Sequence, residues 1–277
     1  MLQAEYRDRI RINIGIELGL QDHLKEYLEH FVKRYGDSFD FIIGSSHFVK
    51  SMDPYDPEYW NKRGEVPGFE DFFEASLVRV RDLCRTFDSF GHLDYAVRYA
   101  PHQNDFYDYR HLSQWIDPLL KILIENGKSL ECNTGGFKYG LGQPNPCRKI
   151  LMRYRELGGE MITIGSDAHT PEYVGYAFDT CRELLSDCGY RYFTVYHAES
   201  RNSFLFSGSF RLRLKTPYNL LPQDCTAFYY IYVFSLICLC TSSRTFRLHG
   251  RLYILKKLLP CVLMLHIILG QSFHSSS

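Results

Sequence analysis

The sequence predicts an α/β fold built on a parallel sheet, one that would close most simply as a barrel. Segments patterned as strands alternate with segments of helical spacing from Arg11 to Tyr196, the order that successive βα units produce. Three of the apolar strands end in a glycine that is followed, within three residues, by a histidine or an aspartate. The chain has 277 residues, enough for one large α/β domain or two small ones.

Arg11 to Leu18 alternates polar and apolar residues and carries Glu17 at its exit, which reads as a first strand. Leu24, Tyr27, Leu28, Phe31 and Val32 then recur at helical spacing, predicting a helix over Gln21 to Tyr35 with Gly36 as its C-cap. Phe39 to Ile43 is a second strand, leading into Gly44-Ser45-Ser46-His47. From Met52 to Phe69 the composition shifts to Pro, Asp, Tyr, Trp and Gly, as expected of a long loop covering a site. A helix from Phe69 to about Cys84 and a third strand, Phe87 to His92, follow, with Asp94 just beyond.

Tyr95 to Tyr109 reads as a second aromatic loop and His111 to Asn126 as an amphipathic helix closed by Gly127. Lys128 to Asn133 is a fourth strand, leading into the glycine-rich Thr134 to Gly140. A helix over Pro146 to Leu157 precedes the strand Met161-Ile162-Thr163-Ile164, which exits through Gly165-Ser166-Asp167-Ala168-His169. Pro171 opens a helix to about Cys188, and Tyr190 to Tyr196 is the last strand.

After Tyr196 the character changes. Ser200 to Ser209 has no clear period, Phe228 to Cys240 is apolar but short of a bilayer span, and Leu252 to Gly270 is interrupted by Lys256-Lys257 and Pro260. Residues 1–196 are therefore expected to form the catalytic unit, and 197–277 an aberrant, poorly packed tail with membrane association as the lesser alternative. Thirty-two basic and 32 acidic residues balance, so no basic field points to nucleic acid. Nine cysteines without a C-x-x-C pair fit reduced thiols, and the charged first residues lack a signal-peptide pattern, so a cytoplasmic location is expected.

In parallel α/β folds the reacting groups gather at the carboxyl ends of the strands. Glu17, His47, His92, Asp167 and His169 all fall at predicted strand exits. Any one of them alone could be a helix cap or a solvated side chain. Five together form a mixed nitrogen and oxygen ligand set that suits Zn²⁺, Mn²⁺ or Fe²⁺, and a metal-activated water suits hydrolysis of a phosphate ester. A cation nearby would hold the phosphate. Lys138 on the glycine-rich loop is the first choice and Arg98 the second, the alternative for Lys138 being a solvated loop lysine.

In order along the chain, Gly15-Ile16-Glu17-Leu18-Gly19-Leu20, Gly44-Ser45-Ser46-His47, Gly91-His92-Leu93-Asp94, Glu131-Cys132-Asn133-Thr134-Gly135-Gly136 and Gly165-Ser166-Asp167-Ala168-His169 resemble motifs of the PHP (polymerase and histidinol phosphatase) superfamily, and most closely its monofunctional histidinol-phosphatases. The resemblance covers roughly Arg7 to Tyr196 and implies a distorted (β/α)7 barrel holding up to three ions of Zn, Mn or Fe. It implies that Glu17 is a bridging and catalytic carboxylate, and that His47 and His92 bind a second ion. Asp167 would be a ligand of the first ion and catalytic, and His169 a ligand of the third. Lys138 would hold the phosphate from the loop after the fourth strand, and His23 would face the substrate. The implied reaction is hydrolysis of L-histidinol phosphate to L-histidinol and phosphate, a step in making histidine.

The family pattern also opens with a His-x-His strand and an Asp-His pair, and neither occurs upstream of Glu17. The expectation is therefore a barrel lacking its first two strands, with fewer ions bound and little activity from this chain. Another PHP phosphoesterase, or a metal-poor pseudoenzyme acting as a binding protein, are the alternatives. The pattern leaves the oligomeric state open.

Overall fold

Five short strands form one parallel sheet: β1 (Gly15–Gly19), β2 (Phe41–Ser45), β3 (Ser89–Phe90), β4 (Ser129–Asn133) and β5 (Ile162–Gly165). They lie side by side in chain order. The computed structural model describes residues 13–197 and 200–205, with His197 and the 200–205 segment described by backbone alone. Sequential order without a reversal is the arrangement of a barrel wall rather than of a doubly wound sheet. Among the described residues β1 and β5 remain the two edges, so closure of the wall is not seen.

All residues of β2, β3 and β4 are buried, as expected where helices cover a parallel sheet. The helices are α1 (Lys25–Tyr35), α2 (Pro57–Arg63), α3 (Glu65–Leu83), α4 (Tyr109–Glu125), α5 (Gly135–Lys138), α6 (Arg148–Glu156) and α7 (Phe178–Asp187). Phe69, Phe72, Phe73, Val80 and Leu83 on α3, and Leu112, Ile116, Leu120 and Leu123 on α4, recur every three or four residues and are buried in one core cluster. The register pairs Gly19 with Ser45 and Asn133 with Gly165. That alignment brings the carboxyl ends of the strands out on one side of the sheet.

Several sequence expectations need correcting. The stretch from Met52 to Phe69 is not a long loop but contains α2 and the start of α3. Asp56 caps α2 by accepting the Glu58 N–H at 2.9 Å, and Pro57 sits in its first turn, where a missing N–H costs nothing. Gly64, at φ +79°, separates the two helices, and Trp60 donates its indole N–H to the Pro54 carbonyl at 2.8 Å. Loop-like composition concealed a capped helix.

The Tyr95 to Tyr109 segment is wound into two 3₁₀ turns, Tyr95–Arg98 and Gln103–Asp105, the first of them buried. Gly36 is the C-cap of α1 as expected, in right-handed conformation, and the chain continues from it into a 3₁₀ turn, Gly36–Ser38. The segment after Pro171 is a 3₁₀ turn, and α7 begins only at Phe178. The final strand is shorter than expected: β6 (Thr194–His197) pairs antiparallel with β7 (Ser200–Leu205), a partner that the aperiodic 200–209 sequence did not suggest. The expected start of the first strand at Arg11 and nearly all of the 197–277 tail lie outside the described residues. Among those described, no helix is long and apolar enough to cross a membrane.

The α2 correction is testable. Asp56→Ala removes the cap without touching the core, and should lower unfolding free energy by about 1 kcal/mol in urea titrations. An unchanged midpoint would mean that the cap contributes nothing.

Candidate metal and phosphate site

Glu17 is the centre of the strand-exit cluster. It lies on β1, is 5% exposed, and accepts a hydrogen bond from the Ser45 hydroxyl at the end of β2. The Nε2 of His92, just after β3, lies 3.2 Å from Glu17 Oε1, and the Nε2 of His47, just after β2, lies 3.5 Å from the same atom. Ligand atoms of the three residues fall within 4.8 Å of one another. One carboxylate oxygen and two imidazole nitrogens converging in this way match the donors and spacing that a divalent ion of the zinc type takes.

The electrostatics favour the same reading. Burial opposes the charged form of Glu17, but the hydrogen bond and charge of His92, with His47, hold its pKa below the ordinary value. Burial pushes His47 down to about 4, so near pH 7 it is a neutral imidazole with a lone pair to offer. Burial also opposes protonation of His92, but the bond to Glu17 outweighs it and raises its pKa. His92 Nδ1 is buried without a hydrogen-bond partner. The proton shared between His92 and Glu17 occupies the place that a cation would take.

Asp167 lies beside this cluster, close enough to act electrostatically on Glu17, His47 and His92. Its own partner is Arg98, whose Nη1 donates to Oδ2 at 2.8 Å. Against the desolvation of its buried site, the Arg98 and His92 charges keep Asp167 ionised far below the usual carboxylate range. Arg98 makes two further bonds: Nε donates to Asn145 at 2.7 Å and Nη2 to Asn133 at 2.9 Å. His169 extends outward, with a side chain 64% exposed and Nδ1 3.6 Å from Asp167 Oδ1. Lys138 is half-buried, with its ammonium over the rings of Tyr173 and Tyr139 at 4.6 and 5.2 Å. His23 is exposed, in the turn after β1.

Of the five expected metal ligands, then, Glu17, His47 and His92 come together. Asp167 is adjacent but held by Arg98, and His169, Lys138 and His23 stand outside the three-residue cluster. His92 and Asp167 adopt positive φ, 21° and 50°, a strained backbone that costs about 1–3 kcal/mol per residue and tends to collect at working sites.

Two buried carboxylates escaped the sequence reading of the site. Glu131 on β4 accepts the His92 backbone N–H and the Asn133 side-chain amide, both at 3.0 Å, and burial raises its pKa. A Cβ at Gly165 would lie 2.2 Å from Glu131 Oε1, so glycine is required where β5 passes this carboxylate. Asp94 accepts from Asn145 at 2.6 Å, from the Cys147 N–H at 2.9 Å and from Tyr107 at 3.0 Å. Asp94 thus orients the amide that holds Arg98. A glutamate inside an otherwise apolar strand was a usable signal for Glu131; Asn145 carried none. A separate cavity of about 600 Å³ opens among Ile42, Asp88, Lys128, Met161 and Tyr196, and none of the strand-exit ligands lines it.

Comparison with known proteins agrees with this geometry. The PHP domain family profile matches residues 2–135. A probable histidinol-phosphatase of Clostridium acetobutylicum is 30% identical over 154 residues, which cover 54% of this chain and 58% of the relative. One of Thermotoga maritima is 40% identical over 162 residues, covering 58% of this chain and 61% of the relative. The chain therefore spans about three-fifths of the length of these relatives. Among solved structures, the Lactococcus lactis histidinol phosphate phosphatase, complexed with Zn, L-histidinol and phosphate, superposes with a TM-score of 0.61 at 27% identity, over 71% of this chain and 74% of that one. In sequence and in fold, then, this chain is similar to PHP-domain proteins and to the histidinol-phosphatases among them.

Proposed function

We propose that the strand-exit site is that of a metal-dependent phosphomonoesterase whose substrate is L-histidinol phosphate. The observation that carries the reading is the convergence of the His47 and His92 Nε2 atoms on one oxygen of the buried Glu17. Bound there, a divalent ion of Zn, Mn or Fe would supply charge stabilisation for the phosphoryl oxygens and an acidified water.

In this reading Glu17, His47 and His92 would together hold an ion. Asp167 and His169 serve as ligands of further ions, with Asp167 kept anionic by Arg98. Arg98 has guanidinium N–H groups beyond the three that bind Asp167, Asn145 and Asn133, and these are available to a phosphate. Lys138, the last residue of α5 after β4, serves as a second cation, and His23 faces the substrate from the β1 exit. Asp94 and Glu131 hold Asn145, Asn133 and the His92 backbone, and so position the groups that touch substrate and metal. The Lactococcus neighbour, with its Zn, L-histidinol and phosphate, supports the choice of metal and substrate.

The bond to Glu17 favours a proton on His92 that Zn²⁺ must displace, so uptake should release protons and affinity should fall as pH falls. Calorimetry in buffers of different ionisation enthalpy reads that proton count directly. His92→Ala and Glu17→Gln should weaken Zn²⁺ binding by more than the roughly 10–100-fold typical of losing an outer-shell partner.

Phosphate release from L-histidinol phosphate with Mn²⁺ or Zn²⁺, compared with a panel of other phosphomonoesters, tests the substrate. Among the described residues only one three-ligand cluster is assembled, so turnover well below that of the Lactococcus enzyme is expected. Arg98→Ala should lower it further by about 10²–10³-fold. Preference for another ester would reassign the substrate. No metal uptake and no turnover would leave a pseudoenzyme and sink the proposal.

A further inference from the structure

Arg79 is a buried cation with no role in the chemistry above. It lies on the inner face of α3 and is 4% exposed. Its Nη1 donates to the Ser46 hydroxyl at 2.6 Å, and its Nε lies 3.4 Å from Asp22 Oδ1, near enough for an ion pair but without a hydrogen bond of proper geometry. Asp22 is largely in water, with 62% of its side chain exposed. Burial lowers the pKa of Arg79, and Asp22 works against that shift.

This is an expensive arrangement for a helix that needs only apolar bulk at that position. A buried guanidinium held by one neutral hydroxyl and one half-solvated carboxylate is commonly no more stable than a hydrophobic residue of the same size. Its partners suggest what it contributes. Ser46 immediately precedes His47, and Asp22 lies in the turn leaving β1, five residues after Glu17. Besides the strand pairing and the contacts of Ser45 and His47 with Glu17, one backbone bond ties the two exit segments, Leu20 N–H to the Ser45 carbonyl at 2.8 Å.

We propose that Arg79 is a positioning residue: reaching from α3, it clamps the β1 and β2 exits to each other and so sets the separation of His47 from Glu17. The inference rests on the metal reading of that site, but the clamp itself can be observed without metal. A flexible Lys at this position carries the charge on one nitrogen and cannot span both partners as a planar guanidinium does.

The full-length chain, Arg79→Met and Arg79→Lys are compared in two measurements. Hydrogen–deuterium exchange without metal should show faster exchange in Arg79→Met at both 20–24 and 45–49, with β4 unchanged and a Tm no more than a few degrees below wild type. Calorimetry with Zn²⁺ should show about 10-fold or greater weakening in Arg79→Met, the size seen when a ligand loses its outer-shell support, and partial recovery in Arg79→Lys. A merely structural arginine would change Tm and leave Zn²⁺ affinity alone. Unchanged exchange at either exit segment, or unchanged Zn²⁺ affinity in a chain whose wild type binds the ion, overturns the proposal. Loosening of both exits in a chain whose wild type takes no Zn²⁺ supports the clamp and sinks the metal reading instead.

Discussion

The constraint on which this structure turns is the burial of like charge at the mouth of the sheet. Glu17, Asp94, Glu131 and Asp167 are each less than 10% exposed, and all four leave or flank the carboxyl ends of strands. Ionised carboxylates in such a place must be paired, protonated or bound to a cation. Asp167 is paired with Arg98, while Asp94 and Glu131 are shifted toward the protonated form. Glu17 draws a proton onto His92. A divalent ion bound among these groups would serve as their counter-charge in place of that proton.

The scaffold imposes this crowding. Parallel strands in chain order, covered by helices, bring successive exit loops to one edge, and the register pairs of β1 with β2 and β4 with β5 hold those exits level. His92 and Asp167, both at strand exits, take positive φ. Gly165 leaves the space that the Glu131 carboxylate enters. Folding supplies the energy to hold the strain, because the aromatic and aliphatic core formed by α3 and α4 beneath is large and dry.

Around the charged centre runs a shell that keeps its members in place. Asp94 orients Asn145, Asn145 and Asn133 hold Arg98, and Arg98 fixes Asp167. Glu131 connects the Asn133 amide to the His92 backbone. Edges of this kind stabilise a site only when every polar group is satisfied. Among the described residues three buried side-chain atoms have no partner: His92 Nδ1 in the Glu17 cluster, Arg79 Nε on α3 and Thr194 Oγ1 on β6.

The sequence by itself determined the alternation of strands and helices and which residues reach the strand exits, because side-chain periodicity and glycine punctuation are local properties of the chain. It marked Glu17, His47, His92, Asp167 and His169 as one ligand set, of which the first three come together, and the resemblance of its motifs pointed to the PHP family. It misread 52–69 because Asp56, Pro57 and Gly64, which build a capped helix and its break, have the composition of a loop. Only the tertiary structure decided that Arg98 closes on Asp167, that Asn145 and Asp94 stand behind it, and that Arg79 spans Ser46 and Asp22. Those contacts join residues 33 to 69 positions apart for the bonds of Arg79 to Ser46 and of Arg98 to Asp167. No local pattern encodes them, because they exist only once the helices have packed and the strands have fixed the distances between their ends.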